Sequence, residues 1–243
     1  LSAEEEAREK MRERNIKRNH QAGFSLIELI IAMTITLTVM GIATTLIARS
    51  LKVRARENKR SDAMADSQRA LNLMTREIAN AGFRMKTNGI VWQDSNDDNS
   101  IRILANLNKY TGETDGGVTE AGEDVKFFLS DNTQYLVRYD KNRPSTDALQ
   151  KTVLANRIYS FNVLYFDQTV NYTTGTCDTP VTVTTAGVSK LTNANIAKAT
   201  YVVLALCVDL PAEGTPGSPG YQPASQTLLV SDVTLRNANT FGY

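Results

Sequence analysis

From Phe24 to Ala48 the chain runs for 25 residues with a single charge, Glu28. At ~1.5 Å per residue a helix of that length reaches roughly 37 Å, enough to cross a hydrocarbon layer of ~30 Å. A lone carboxylate in lipid costs on the order of 3 kcal/mol, so Glu28 predicts a function and a partner. No other segment restricts the fold as strongly.

The residues ahead of this run are polar and basic. Met11 to Gly23 carries Arg12, Arg14, Lys17 and Arg18 against Glu13. An ordinary secretory signal carries an apolar region within the segment that is removed; here the basic lead-in has none, and the apolar run follows it. Charge does not set the orientation by itself. Arg49, Lys52, Arg54, Arg56, Lys59 and Arg60 crowd the far end of the run and outnumber the basic residues between Met11 and Gly23.

The helix is expected to continue past the apolar run. Leu51 to Ala81 holds neither Pro nor Gly, and Met64, Leu71, Met74, Ile78 and Ala81 recur at helical spacing on one face. Gly82 is a natural stop. Phe24 to Ala81 would reach roughly 87 Å if straight. Within the apolar half, Gly41 lies among Thr34, Ile35, Thr36, Thr38, Val39, Ile42, Thr44 and Thr45, all weak helix formers in water, so this is the weakest part of the helix.

After Gly82 the pattern turns to strands. Ile101–Leu104, Val125–Leu129, Tyr135–Tyr139, Ile158–Phe166, Val181–Thr185, Tyr201–Leu210 and Thr227–Arg236 are β-branched or aromatic runs bounded by turn residues. Tyr201–Leu210 is nearly all apolar and reads as a central strand. Pro211 to Ser225 holds four of the six prolines and is predicted to be a long loop outside the sheet. Asp94, Asn96 and Asp98 have calcium-loop spacing, but Asn99 replaces the glycine and Ala105 the closing Glu, so a solvated loop is expected. One long helix followed only by strands predicts an α+β protein, an antiparallel sheet packed on the helix.

Composition argues against catalysis and nucleic-acid binding. Net charge is +1, and beyond residue 60 there are 15 basic and 19 acidic side chains, so no basic footprint for nucleic acid stands out. The lone histidine, His20, lies in the basic lead-in, so the chain from Phe24 onward has none for Ser-His-Asp or Cys-His chemistry. Cys177 and Cys207 lack metal-ligand spacing, and no phosphate-binding glycine loop is present. No enzyme, cofactor or metal site is expected. The two cysteines either form a disulfide, if they lie outside the cytoplasm, or remain separate thiols with Cys207 buried as a small apolar residue.

Ala22-Gly23-Phe24-Ser25-Leu26-Ile27-Glu28 resembles the processing site of type IV prepilins and of type II secretion pseudopilins. The resemblance implies that a prepilin peptidase cuts after Gly23 and methylates Phe24. It implies too that Glu28 pairs with the N-terminal amine of a neighbouring subunit during assembly. Arg69-Ala-Leu-Asn-Leu-Met-Thr-Arg-Glu-Ile-Ala-Asn-Ala-Gly-Phe83 resembles the helix end of PilW-type minor pilins; Leu154–Asp167 and Val233–Asn237 are similar to strands there, and J-class pseudopilins share much of this pattern. The implied fold is that of type IV pilins. Its parts would be a cleaved leader at 1–23, a membrane and assembly half-helix at 24–50, an amphipathic half-helix at 51–82 and a β-rich head at 83–243. The chain would sit in the inner membrane with its head in the periplasm and then pass to the pilus. Its partners would be the peptidase and other pilin and minor pilin subunits. The implied role is to join or prime a type IV pilus; the alternatives are a secretion pseudopilin or a tip subunit for adhesion.

Overall fold

The computed structural model describes residues 8, 10–11, 24–91, 99–107, 118–130, 133–218 and 221–238. Gly23, His20 and the loop bearing Asp94, Asn96 and Asp98 lie outside the described residues. A long helix, α1 (Leu26–Ala79), precedes every strand among the described residues. The strands are β1 (Ile90–Val91), β2 (Ser100–Leu104), β3 (Asp124–Leu129), β4 (Leu136–Asp140), β5 (Lys151–Ala155), β6 (Ile158–Phe166), β7 (Tyr172–Thr174), β8 (Val181–Val183), β9 (Tyr201–Leu210) and β10 (Ser225–Thr234). The chain divides into two compact units, Leu1–Lys52 and Val53–Tyr243.

The class is α+β, and among the described residues all the pairing is antiparallel. Strands β1 to β5 form a meander in chain order, β10-β9-β6 form a second sheet, and β7-β8 form a hairpin. Strand β9 is central and buried along both faces because it is apolar at almost every position. Val202, Leu204, Leu206 and Val208 join the core with Leu71, Met74 and Ile78 of α1 and with Ile101, Val125 and Phe127 of the meander. Tyr201 and Val203 point the other way and pack with Phe166 and Val170, under Tyr172, Val181 and Val183 of the hairpin.

Within the second unit, α1 buries Ala63, Ser67, Ala70, Leu71, Met74 and Ile78, a stripe recurring at three, four and seven residues. Ser67 is polar but costs little there, since its Oγ donates to the Ala63 carbonyl at 2.7 Å. The helix ends at Ala79, two residues before the predicted end. Asn80 and Ala81 instead close tighter turns onto Glu77 and Ile78. The chain then needs left-handed backbone at Gly82 and Gly89, both at φ 72°. A Cβ at Gly89 would collide with the Gly82 nitrogen and the Leu104 carbonyl oxygen, the atoms through which this corner is bonded to β2.

Strands β1, β5 and β7 were not predicted. β1 is two residues long, β5 starts on an exposed lysine, and β7 is Tyr-Thr-Thr, so none carries an apolar alternation of its own. Their partners create them: β5 pairs with β4 across a register shift between Leu136 and Val137. The proline-rich segment is a loop closed on itself, Glu213 bridging to Gln222, and β10 begins at Ser225, the last residue assigned to that loop.

Candidate assembly helix and head

Phe24 and Ser25 precede α1, and the Ser25 carbonyl accepts the first bond, from Leu29 N at 3.1 Å. Glu28 lies in the first helical turn, where the unpaired backbone N–H groups favour a negative charge. It has no ion-pair partner among the described residues. Phe24 is one turn away from Glu28 and 84% exposed. Every residue from Phe24 to Arg49 is exposed, Ile30, Ile35, Leu37 and Met40 included. This segment is long and apolar enough to cross a membrane.

Its threonine hydroxyls are satisfied from within. The hydroxyls of Thr34, Thr36 and Thr38 donate to the carbonyls of Ile31, Ala32 and Thr34 at 2.7 to 2.8 Å. Those of Thr44 and Thr45 donate to Gly41 and Ile42 at 3.0 and 2.7 Å. All five threonine hydroxyls of the segment are thus paired, and α1 is unbroken through Gly41. A Cβ at Gly41 would meet nothing within 4 Å, so no contact within the chain calls for glycine there. A bare backbone at that point admits close approach by another helix.

The head is held to the second half of α1 by polar contacts that the sequence reading did not identify. Arg138 of β4 donates through Nε to both carboxylate oxygens of Glu77, at 3.0 and 3.1 Å. Burial pushes the Glu77 carboxyl above its ordinary range, and the Arg138 charge and hydrogen bonds pull it partly back. These two residues, with Asn80, Leu107, Gly122 and Glu123, line a cavity of 110 Å³. Glu123 is occupied there by the backbone N–H groups of Leu107, Thr119 and Glu120 at 3.0 to 3.1 Å. At the helix end, Arg236 N donates to the Ala79 carbonyl and Asn237 Nδ2 to that of Ala81, both at 3.1 Å, which satisfies carbonyls the helix leaves free. The only available signal was the Glu77 and Asn237 positions inside motifs already singled out.

The proline-rich loop straps the helix within the same unit. Lys59 Nζ meets Glu213 at 2.5 Å, and Arg56 donates to the Pro223 carbonyl. On the opposite side, the structure joins Cys177, in the β7–β8 turn, to Cys207 of β9, with Cα atoms 5.5 Å apart. Asp232 of β10 adds a second tie to the hairpin by accepting from the Tyr172 hydroxyl at 2.9 Å and the Tyr201 hydroxyl at 2.6 Å. Burial, reinforced by the Asp232 carboxylate, pushes the Tyr172 phenol up to about 12 and the Tyr201 phenol higher still. No set of three His, Cys, Asp or Glu residues able to hold a metal occurs among the described residues.

Residues 18–44 match the family described as the prokaryotic N-terminal methylation motif. The chain is therefore prepilin-like across the stretch that holds Gly23, Phe24 and Glu28. Comparison with curated proteins gives no match. Similar solved structures include a type IV-like pilin from Thermus thermophilus, 12% identical, with a TM-score of 0.44 over 72% of this chain and 96% of that one. Among the described residues, a long N-terminal helix followed by antiparallel sheets makes the class α+β.

Proposed function

We propose that this chain is a minor pilin that joins or primes a type IV pilus and performs no catalysis. The observation that carries the reading is Glu28 in the first turn of an apolar helix exposed on every side, inside a matched methylation motif. Before assembly the 24–50 segment sits in the inner membrane, with the head on the periplasmic side. A prepilin peptidase cuts after Gly23 and methylates Phe24, and the head passes to the cell surface with the pilus. Burying Glu28 is offset when the protonated amine of Phe24 on another subunit meets its carboxylate. That contact sets the axial register, and the bare backbone at Gly41 lets a neighbouring helix come close. The amphipathic half-helix carries the head, which the Glu77–Arg138 pair and the proline-rich strap keep attached.

The test is Glu28→Leu in the full chain. The variant should insert into the membrane at least as well as wild type, because the charge penalty is gone, yet be missing from sheared filaments. Wild-type amounts of the variant in those filaments would rule out the carboxylate as the assembly contact.

A further inference from the structure

We infer that Arg56 and Lys59, beside the proline-rich loop, bind a carboxylate supplied by a neighbouring pilin subunit, and that Glu213 holds that carboxylate's place in the free subunit. The inference rests on the pilus-assembly reading and deepens it by naming a second contact between subunits, its residues and its ligand chemistry. All the residues involved belong to the unit Val53–Tyr243.

Arg56 is the only buried cation among the described residues, at 8% exposure. The fold gives its other withdrawn arginines a carboxylate: Glu77 for Arg138 and Asp124 for Arg102. Arg56 has none among the described residues. Its Nη2 donates to the Pro223 carbonyl and, at 3.3 Å, to the Ser225 hydroxyl, both neutral. Its Nη1 is buried with no partner among the described residues. A guanidinium cannot shed its charge on burial as an amine can. Taking it out of water is offset only by a counter-charge and a full set of hydrogen bonds, so Arg56 is half of an ion pair.

Lys59 lies three residues further on and therefore on the same helix face. It pairs with Glu213 at 2.5 Å, with both side chains 47% exposed. A pair this open to water is weakly held and exchanges readily. The hydrogen bond and charge of Lys59, then the charges of Arg56 and Arg157, hold the Glu213 carboxyl below its ordinary range. Three cations thus act on one carboxylate, and neither Arg56 nor Arg157 has an ion-pair partner of its own among the described residues.

One further carboxylate answers both needs. One of its oxygens meets Nη1 of Arg56, and the other takes the place of Glu213 on Lys59. Heads of this composition offer such groups, since beyond residue 60 acidic side chains outnumber basic ones by 19 to 15.

The experiment follows the full chain in its native host, with incorporation measured in sheared filaments and stability read from denaturant midpoints of the purified protein in detergent. Arg56→Met keeps most of the volume and removes the charge. Its midpoint should be no lower than that of wild type, because no ion pair is lost in the free subunit, while incorporation should fall at least about tenfold. Lys59→Gln, at a half-exposed site, should lower incorporation too and leave the midpoint unchanged. Wild-type incorporation of either variant would overturn the site; should Arg56→Met unfold the head, Lys59→Gln decides by itself. Hexaglutamate peptide added to the purified wild-type chain should quicken hydrogen exchange over residues 211–218 as Glu213 is displaced, and inorganic phosphate should not. A response to phosphate alone would overturn the carboxylate assignment in favour of a phosphate site. Absence of the wild-type chain from filaments would overturn the pilus reading itself, a failure kept apart from that of the site because the hexaglutamate response is read on the purified protein.

Discussion

Arg138 donates its single Nε–H to both carboxylate oxygens of Glu77, and this bifurcated bond joins the last turn of the helix to β4, the fourth strand of the meander. Both side chains are mostly withdrawn from water, at 17% and 22% exposure. Removing one partner from such a pair leaves the other buried and uncompensated. Arg138→Ala should therefore destabilise the head by roughly 3 kcal/mol, read from denaturant midpoints.

The same pair makes a pH prediction of definite sign. Burial raises the Glu77 pKa above 4.5 in the folded state despite Arg138. The native state thus holds this proton more tightly than the unfolded chain, so the contribution of Glu77 to stability falls as pH rises from 4.5 through the folded pKa, then levels off. Glu77→Gln should abolish that fall. The check is the wild-type minus variant difference in unfolding free energy across this range, because Asp147 and Glu213, with lowered values, slope the other way. A flat difference would mean that burial does not govern this carboxyl.

The disulfide closes a separation of 30 residues and ties the hairpin to the face of β9 turned away from the helix. Replacing Cys177 and Cys207 together by serine and alanine should cost about 3 kcal/mol on the loop-entropy account. The Asp232 contacts to Tyr172 and Tyr201 remain, so the hairpin should loosen without unfolding β9. Hydrogen exchange should quicken over Tyr172–Val183 and stay slow over Tyr201–Leu210.

How much of this was readable beforehand depended on whether a residue's role was local. The apolar run, the stripe through Leu71, Met74 and Ile78, and strand β9 announce themselves by period and length, because each buries a face set by its own spacing. Strand β5 does not, since Lys151 and Val153 are exposed and only pairing with β4 makes them a strand. Glu77, Arg138 and Asp232 act through partners 31 to 61 residues away. No spacing rule connects residues at such distances. The cysteines were an intermediate case: their number permitted a bond, but the nearness of the β7–β8 turn to β9 came from packing.

The seam between helix and sheets should survive loss of the apolar half. A fragment beginning at Val53, where the second compact unit starts, is expected to be soluble and monomeric, with Leu71, Met74 and Ile78 buried against β9. Leu71→Asp would place an unpaired charge in that seam and should unfold or aggregate the fragment, as seen by gel filtration and circular dichroism. Full stability of the variant would mean that this stripe serves another subunit.

Processing between Gly23 and Phe24, within the matched motif, is the step on which the prepilin reading turns. Intact-mass and N-terminal peptide analysis of the protein from its native membrane addresses it most directly. The account predicts a mature chain starting at N-methylated Phe24, and an unprocessed chain accumulating when Gly23 is replaced by valine. Mature protein that still carries residues 11–23 would contradict the prepilin account.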